Sequence, residues 1–171
     1  MPDHVVPANI DETPRPSEAP RLYVERMAQE KATVVAREAL GHYVLAADTV
    51  VALGRRILPK AETPDEVRAC LCLLSGRRHH VLTAVVLLAP DGGRSARTVD
   101  TSVVFARLAR DDIEDYALTG EGLGKAGGYA IQGHAAAFVR MLGGSYTGVV
   151  GLPLHETVAL LRGRGYRMPG T

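Results

Sequence analysis

A chain of 171 residues, 46% of them hydrophobic, can bury one sizeable core without disulfides or metal staples. Twenty Lys and Arg against 19 Asp and Glu leave a formal charge of +1, so there is no broad electrostatic footprint for nucleic acid or an anionic membrane, and any phosphate binding must be local. No basic stretch leading into an apolar one opens the chain, no apolar run reaches the roughly 18 residues of a membrane span, and Cys70 and Cys72 are spaced for neither a disulfide nor a metal pair, which together predict a cytoplasmic protein.

Residues 1–16 are proline-rich, contain the apolar piece HVVPANI, and read as an extended segment and loop. Ser17 is expected to open an amphipathic helix to about Leu40, with Pro20 in its first turn. On that helix Tyr23, Val24, Met27, Ala28, Ala32, Val34 and Val35 form one apolar arc, and Lys31 falls inside it. A lysine there either snorkels from the edge of the core or faces a polar cleft.

The run YVLAADTVVAL, residues 43–53, reads as a buried strand interrupted by Asp48. A bare carboxylate taken out of water costs several kcal/mol or shifts its pKa upward, so it needs partners or a task. Either it bonds turn amides, or it works. A turn at Gly54-Arg55 and a short strand over Arg56–Leu58 complete a hairpin ending near Lys60. Thr63-Pro64-Asp65-Glu66 is a capping box with Pro at the first helical position, and Val67, Cys70, Leu71 and Leu74 continue with helical period until Gly76.

His80 to Ala89 and Thr98 to Leu108, joined across Pro90-Asp91-Gly92-Gly93, read as an antiparallel pair, and Asp111 is expected to cap a short helix to about Leu118. Residues 120–151 are glycine-rich, with short strands expected around Tyr129–Ile131 and Ala137–Leu142. Pro153 leads into a last helix from about Leu154 to Arg162. Neither a repeat nor a long linker divides the chain.

Two motif matches fail on context. Gly122-Leu123-Gly124-Lys125-Ala126-Gly127 fits G-x-G-x-x-G as a string, but a helix precedes it and a strand follows, the reverse of a dinucleotide fingerprint. As a P-loop it has Thr119 in place of the first Gly and Ala126 in place of the magnesium-binding hydroxyl. The six histidines lack zinc spacing and read as surface or satisfied residues. No G-x-S-x-G elbow is present.

What remains is Asp11-Glu12, Lys31, Asp48-Thr49, Lys60, Lys125 and Gln132. Carboxylates that hold a divalent cation and activate water, lysines that take up phosphate charge, and an amide that reads a base edge are what hydrolysis of a nucleotide phosphoanhydride requires. Lysine is scarce here, three against seventeen arginines, and all three lysines belong to this set.

The segments PANIDETP (7–14), YVERMAQEKA (23–32), AADTVV (46–51), ILPKAETPDEVRACLCLLSGRRHHVLTAV (57–85), GKAGGYAIQG (124–133) and GGSYTGVVGLPLHET (143–157) together resemble the Maf family over nearly the whole chain. The resemblance implies one α/β domain, an elongated and curved mixed sheet with flanking helices and a cleft between two lobes. It implies a pyrophosphatase that cuts nucleoside triphosphates, dTTP or UTP, between the α and β phosphates with a divalent metal, Mg²⁺ or Mn²⁺. By motif, Asp48 corresponds to the water-activating acid and a metal ligand, and Glu12 to a second acid near the metal. Thr49 and Gln132 fall at positions tied to substrate choice. Lys31, Lys60 and Lys125 fall in substrate-binding motifs. The implied partner is the nucleoside triphosphate, with no nucleic acid or membrane; a homodimer is left open.

The family's opening strand, its S-x-S-P-R-R loop and the helix after it, roughly 20 residues at typical element lengths, have no counterpart here, which raises the expectation of a start codon assigned too late. The alternative is a nucleotide-binding or regulatory protein that lost turnover with that arginine clamp. Pro59 and Ala61 around Lys60, and Gly148, are smaller departures from the family pattern.

Overall fold

The computed structural model describes residues 4–167. In chain order it has α1 (Pro20–Ala36), β1 (Val44–Leu53), β2 (Arg56–Leu58), α2 (Pro64–Leu74), β3 (Arg78–Leu88), β4 (Arg94–Phe105), α3 (Arg110–Thr119), a 3-10 turn at His134–Phe138, β5 (Val139–Gly143), α4 (Tyr146–Val150) and α5 (Leu154–Gly163). The strands make one five-stranded sheet in the order β2-β1-β3-β4-β5.

The α/β architecture is the expected one, but every described pairing is antiparallel, where a mixed sheet was expected. The physical reason is the placement of β1. The β2–α2–β3 crossover joins two strands that run the same way, and β1 lies between them, bonded antiparallel to each.

Alternation along the strands sends successive side chains to opposite faces. On one face Val50, Ala52, Leu82, Ala84 and Val86 meet Val24, Met27, Ala28 and Ala32 of α1. On the other, Val51, Val81, Val103 and Phe105 pack with Val67, Leu71 and Leu74 of α2 and with Ile113 and Tyr116 of α3. A fully buried Met27 or Leu71 contributes about 1.5–3 kcal/mol on transfer grounds.

The capping box at α2 forms as read: Glu66 N–H donates to the Thr63 hydroxyl and Thr63 N–H to the Glu66 carboxylate. Elsewhere the boundaries move. Ser17 takes a left-handed φ of 60° in a turn closed by Glu18 N–H to the Arg15 carbonyl, so α1 begins at Pro20 and not at Ser17, and it ends at Ala36, short of Leu40. Helix α3 starts one residue before Asp111, and Asp112 reaches back to the Ala109 N–H at 2.8 Å.

The strand expected at Tyr129–Ile131 does not form. That stretch instead follows a loop pinned to residues 59–61 by backbone bonds, and its Ala130 N–H donates to the Tyr116 hydroxyl of α3 at 3.0 Å. The five-residue α4, capped by Ser145, falls in a segment read as irregular.

Candidate active site

Asp48 lies on the α1 face of β1, opposite Ala84 of β3. On its other side β2 pairs with β1 only from Val51 to Leu53, so among the described residues no strand covers the β1 edge at Asp48. The residue is nevertheless only 8% exposed, because the proline-rich arm and α1 close over it. Lys31 projects from the apolar arc of α1 and donates to the Asp48 carboxylate at 2.6 Å. The same ammonium lies 2.7 Å from Glu12, whose second oxygen pairs with Lys60.

Thus the lysine in the arc faces the cleft, and Asp48, Lys31, Glu12 and Lys60 form one alternating chain of charge. The Tyr23 hydroxyl, donating to the Glu12 carbonyl at 2.9 Å, and the Glu18–Arg26 pair hold the arm in place. Asp11, which precedes Glu12, takes the Thr13 N–H at 2.9 Å and serves a turn.

The two acids are electrostatically unlike. Burial pushes the Asp48 carboxyl above its ordinary range, against the pull of the Lys31 ammonium. At Glu12 burial also acts upward, but the two lysines outweigh it and hold the group below its usual value. Burial opposes the charge on Lys31, and its hydrogen bonds to Asp48 and Glu12 more than restore it, leaving its pKa raised.

Two cavities meet at this point. One, of about 550 Å³, is lined by Glu12, Arg15, Glu18, Arg55 and Lys60 on the α1 side. The other, of about 200 Å³, runs toward Lys125, Tyr129, Ile131, Gln132 and Val149. Asp48, Thr49, Lys60 and Ala126 border both. Thr49, the next residue on β1, points to the opposite face from Asp48, so the carboxylate and the hydroxyl lie on either side of one strand edge.

Lys60 and Lys125 come together because Ala61 N–H bonds the Lys125 carbonyl, Gly124 N–H the Ala61 carbonyl, and Gly127 N–H the Pro59 carbonyl. Gly127 is required there. Its φ is +67°, and a Cβ would stand 2.9 Å from the Val51 side chain. The structure therefore gathers every sequence-selected residue of the set apart from Asp11 around one cleft.

It also adds residues that the sequence did not mark. Thr83 of β3 lies opposite Thr49, with the hydroxyls 2.9 Å apart, and donates to the Gly148 carbonyl at 2.7 Å. Arg15 and Arg55 line the larger cavity. An isolated threonine in a buried strand carries no local signal; the pairing exists only through strand register.

For a divalent cation the donor set is sparse: among the described residues no group of three or more His, Cys, Asp or Glu could hold a metal. Yet one ammonium contacts both Glu12 and Asp48, which marks a spot where a cation lies between two carboxylates. Two acids suffice for Mg²⁺ when waters and phosphate oxygens complete its shell, so the residues present fit a cation that shares its ligands with a bound phosphate.

A family model described as Maf-like protein matches residues 1–164. A protein named dTTP/UTP pyrophosphatase from Caulobacter vibrioides is 58% identical over 166 residues, covering 97% of this chain and 86% of the relative. One of the same name from Rhodospirillum rubrum is 55% identical over 170 residues, covering 99% of this chain and 80% of the relative. A third, from Mesorhizobium japonicum, is 53% identical over 173 residues, 98% of this chain and 83% of the relative.

Proposed function

The chain belongs to the Maf family, and from that premise we propose that it is a cytoplasmic, metal-dependent nucleoside triphosphate pyrophosphatase acting on dTTP and UTP. One water is consumed and one α–β phosphoanhydride bond is cleaved, giving the monophosphate and pyrophosphate. The observation that carries the reading is the buried Asp48 at the junction of two cavities, tied to Lys31, Glu12 and Lys60.

In this reading Asp48 accepts the proton of the attacking water. Its burial supports the role, since a carboxylate with a raised pKa is a better proton acceptor than a solvated one. Glu12 and Asp48 are the residues that would hold a divalent cation, which would supply charge for the phosphate oxygens and lower the pKa of water.

Lys60 and Lys125 neutralise phosphate, as point charges suited to a flexible chain of oxygens. Lys31 holds Asp48 ionised and aimed before substrate enters. On the far side of the strand edge, Thr49 and Gln132 face the base; an amide offers a donor and an acceptor together, which matches the O4 and N3–H edge of uracil or thymine.

The test is pyrophosphate release from dTTP and UTP with magnesium. Asp48→Asn, which keeps the shape and loses the base, is expected to lower kcat by at least about 100-fold while nucleotide binding persists. Full turnover in that variant would end the assignment of Asp48.

A further inference from the structure

We infer that Thr83 is a positioning residue that fixes the hydrogen-bond polarity of Thr49, so that the cleft accepts a hydrogen bond from its base and favours pyrimidines carrying a ring N–H over cytosine. The inference rests on the nucleotide reading above.

The argument is a proton count. A threonine hydroxyl has one hydrogen to give and lone pairs to accept with. Thr83 is 1% exposed, and it gives its hydrogen to the Gly148 carbonyl at 2.7 Å. A carbonyl has no hydrogen, so that direction cannot reverse. The same carbonyl also accepts the Gly151 N–H at 3.0 Å, which fills its two lone pairs and holds it in place at the end of α4.

Helix α4 is held to the sheet independently. Ser145 N–H donates to the Thr101 hydroxyl at 3.0 Å, and the Ser145 hydroxyl caps Gly148 N–H at 3.0 Å. The 2.9 Å contact between Thr83 and Thr49 must then be donated by Thr49. Its hydrogen is given sideways to β3, and Thr49 presents only lone pairs to the cavity it borders with Gln132.

A uracil or thymine N3–H satisfies those lone pairs. Cytosine brings an unprotonated N3, which sets one acceptor against another. Gln132 is exposed and can turn its amide over to suit either edge, so it cannot by itself separate the two bases. Thr49 cannot adapt, because Thr83 and Gly148 dictate its orientation. Toward Thr83, Gly148 acts through its backbone carbonyl.

The experiment measures kcat/KM for UTP and CTP, with magnesium, on the full chain and on Thr83→Val and Thr83→Ser. Valine keeps the volume and removes the relay; serine keeps the hydroxyl. The wild type is expected to prefer UTP by at least about 10-fold, since a site built around a donor rejects the analogue lacking it. Thr83→Val is expected to shrink that preference about 10-fold or more, chiefly through KM, while Thr83→Ser retains it within about 3-fold. A purely structural Thr83 would lower both substrates alike and leave the ratio unchanged.

Equal wild-type use of the two nucleotides overturns the inference, and so does a Thr83→Val protein that keeps the UTP preference. Should Thr83→Val lose cooperative melting, Thr83→Ala, which likewise has no group to donate or accept, is judged by the same criteria. A wild type that hydrolyses neither nucleotide sinks the pyrophosphatase reading instead.

Discussion

His79 shows how far one buried side chain can bind stability to pH. It is fully buried, its Nε2 lies 2.8 Å from the Tyr129 hydroxyl, and burial pulls its pKa down to about 4. The unfolded chain takes up that proton near pH 6.5 and the folded one only near 4, so stability falls as pH drops through this window. The loss amounts to about 3 kcal/mol at its end. His79→Leu is expected to flatten the difference between urea unfolding at pH 6.5 and at pH 4, even if it lowers stability overall through the stranded Tyr129 hydroxyl. Lys31 offers a second residue-scale prediction. Lys31→Met leaves the buried Asp48 carboxylate without its ammonium partner and Glu12 with Lys60 alone, and thermal unfolding should show a loss of about 3 kcal/mol at neutral pH. Magnesium or manganese should recover more of that loss than it adds to the wild type. At this scale the sequence was informative where a residue broke its own pattern: an acid inside YVLAADTVVAL and a lysine on an apolar arc are both misfits that the cleft explains. Thr83 broke no pattern, and its role emerges only when the register sets it beside Thr49.

At the scale of elements, legibility followed the range of the forces. The α2 cap, with Thr63 and Glu66 three residues apart, is a local bargain between neighbours and was readable as such. The 124–132 loop was not. Its course is set by hydrogen bonds to Pro59 and Ala61, more than sixty positions away, which no window of sequence displays. Helix α4 is likewise held by Thr83 and Thr101 from two strands, not by helical propensity in a five-residue stretch. The loop yields a prediction of its own. Gly127→Ala places a Cβ against Val51 in a backbone conformation that alanine resists, and should cost about 1–3 kcal/mol. Because the same loop carries Lys125 and clasps Lys60, the KM for UTP should rise more than kcat falls. A variant with unchanged KM would show that the clasp does not set the position of the lysines.

Across the whole molecule, the cleft draws together parts far apart in the chain: the arm with Glu12, helix α1, the open edge of β1, the Lys60 turn and the 124–132 loop. A ligand seated there ties the two sides of the sheet to one another. UTP with a divalent metal at about 100 times its dissociation constant should therefore stabilise the fold by about 2.7 kcal/mol, read as a rise in Tm. Hydrogen exchange should slow at residues 11–18 and 124–132 together, whereas protection confined to one of them would mean that the cleft is not bridged. Among the described residues no helix is long and apolar enough to cross a membrane, and the architecture of one sheet between α1 and the α2–α3 layer accounts for the two larger buried clusters, with a third, smaller one where Leu160 of α5 meets Val85 and Leu87.

The adjacency of Asp48 and Thr49 along an extended backbone has a consequence for how such a protein can change. Neighbours on a pleated ribbon are insulated from one another, so under the roles proposed above drift at position 49 would retune which nucleobase is welcome without disturbing hydrolysis at position 48. The same arrangement is brittle to length. A single inserted residue just upstream of Asp48, with the strand pairing otherwise kept, would transpose the carboxylate and the hydroxyl, leaving a catalyst with its reactive group turned to the wrong room.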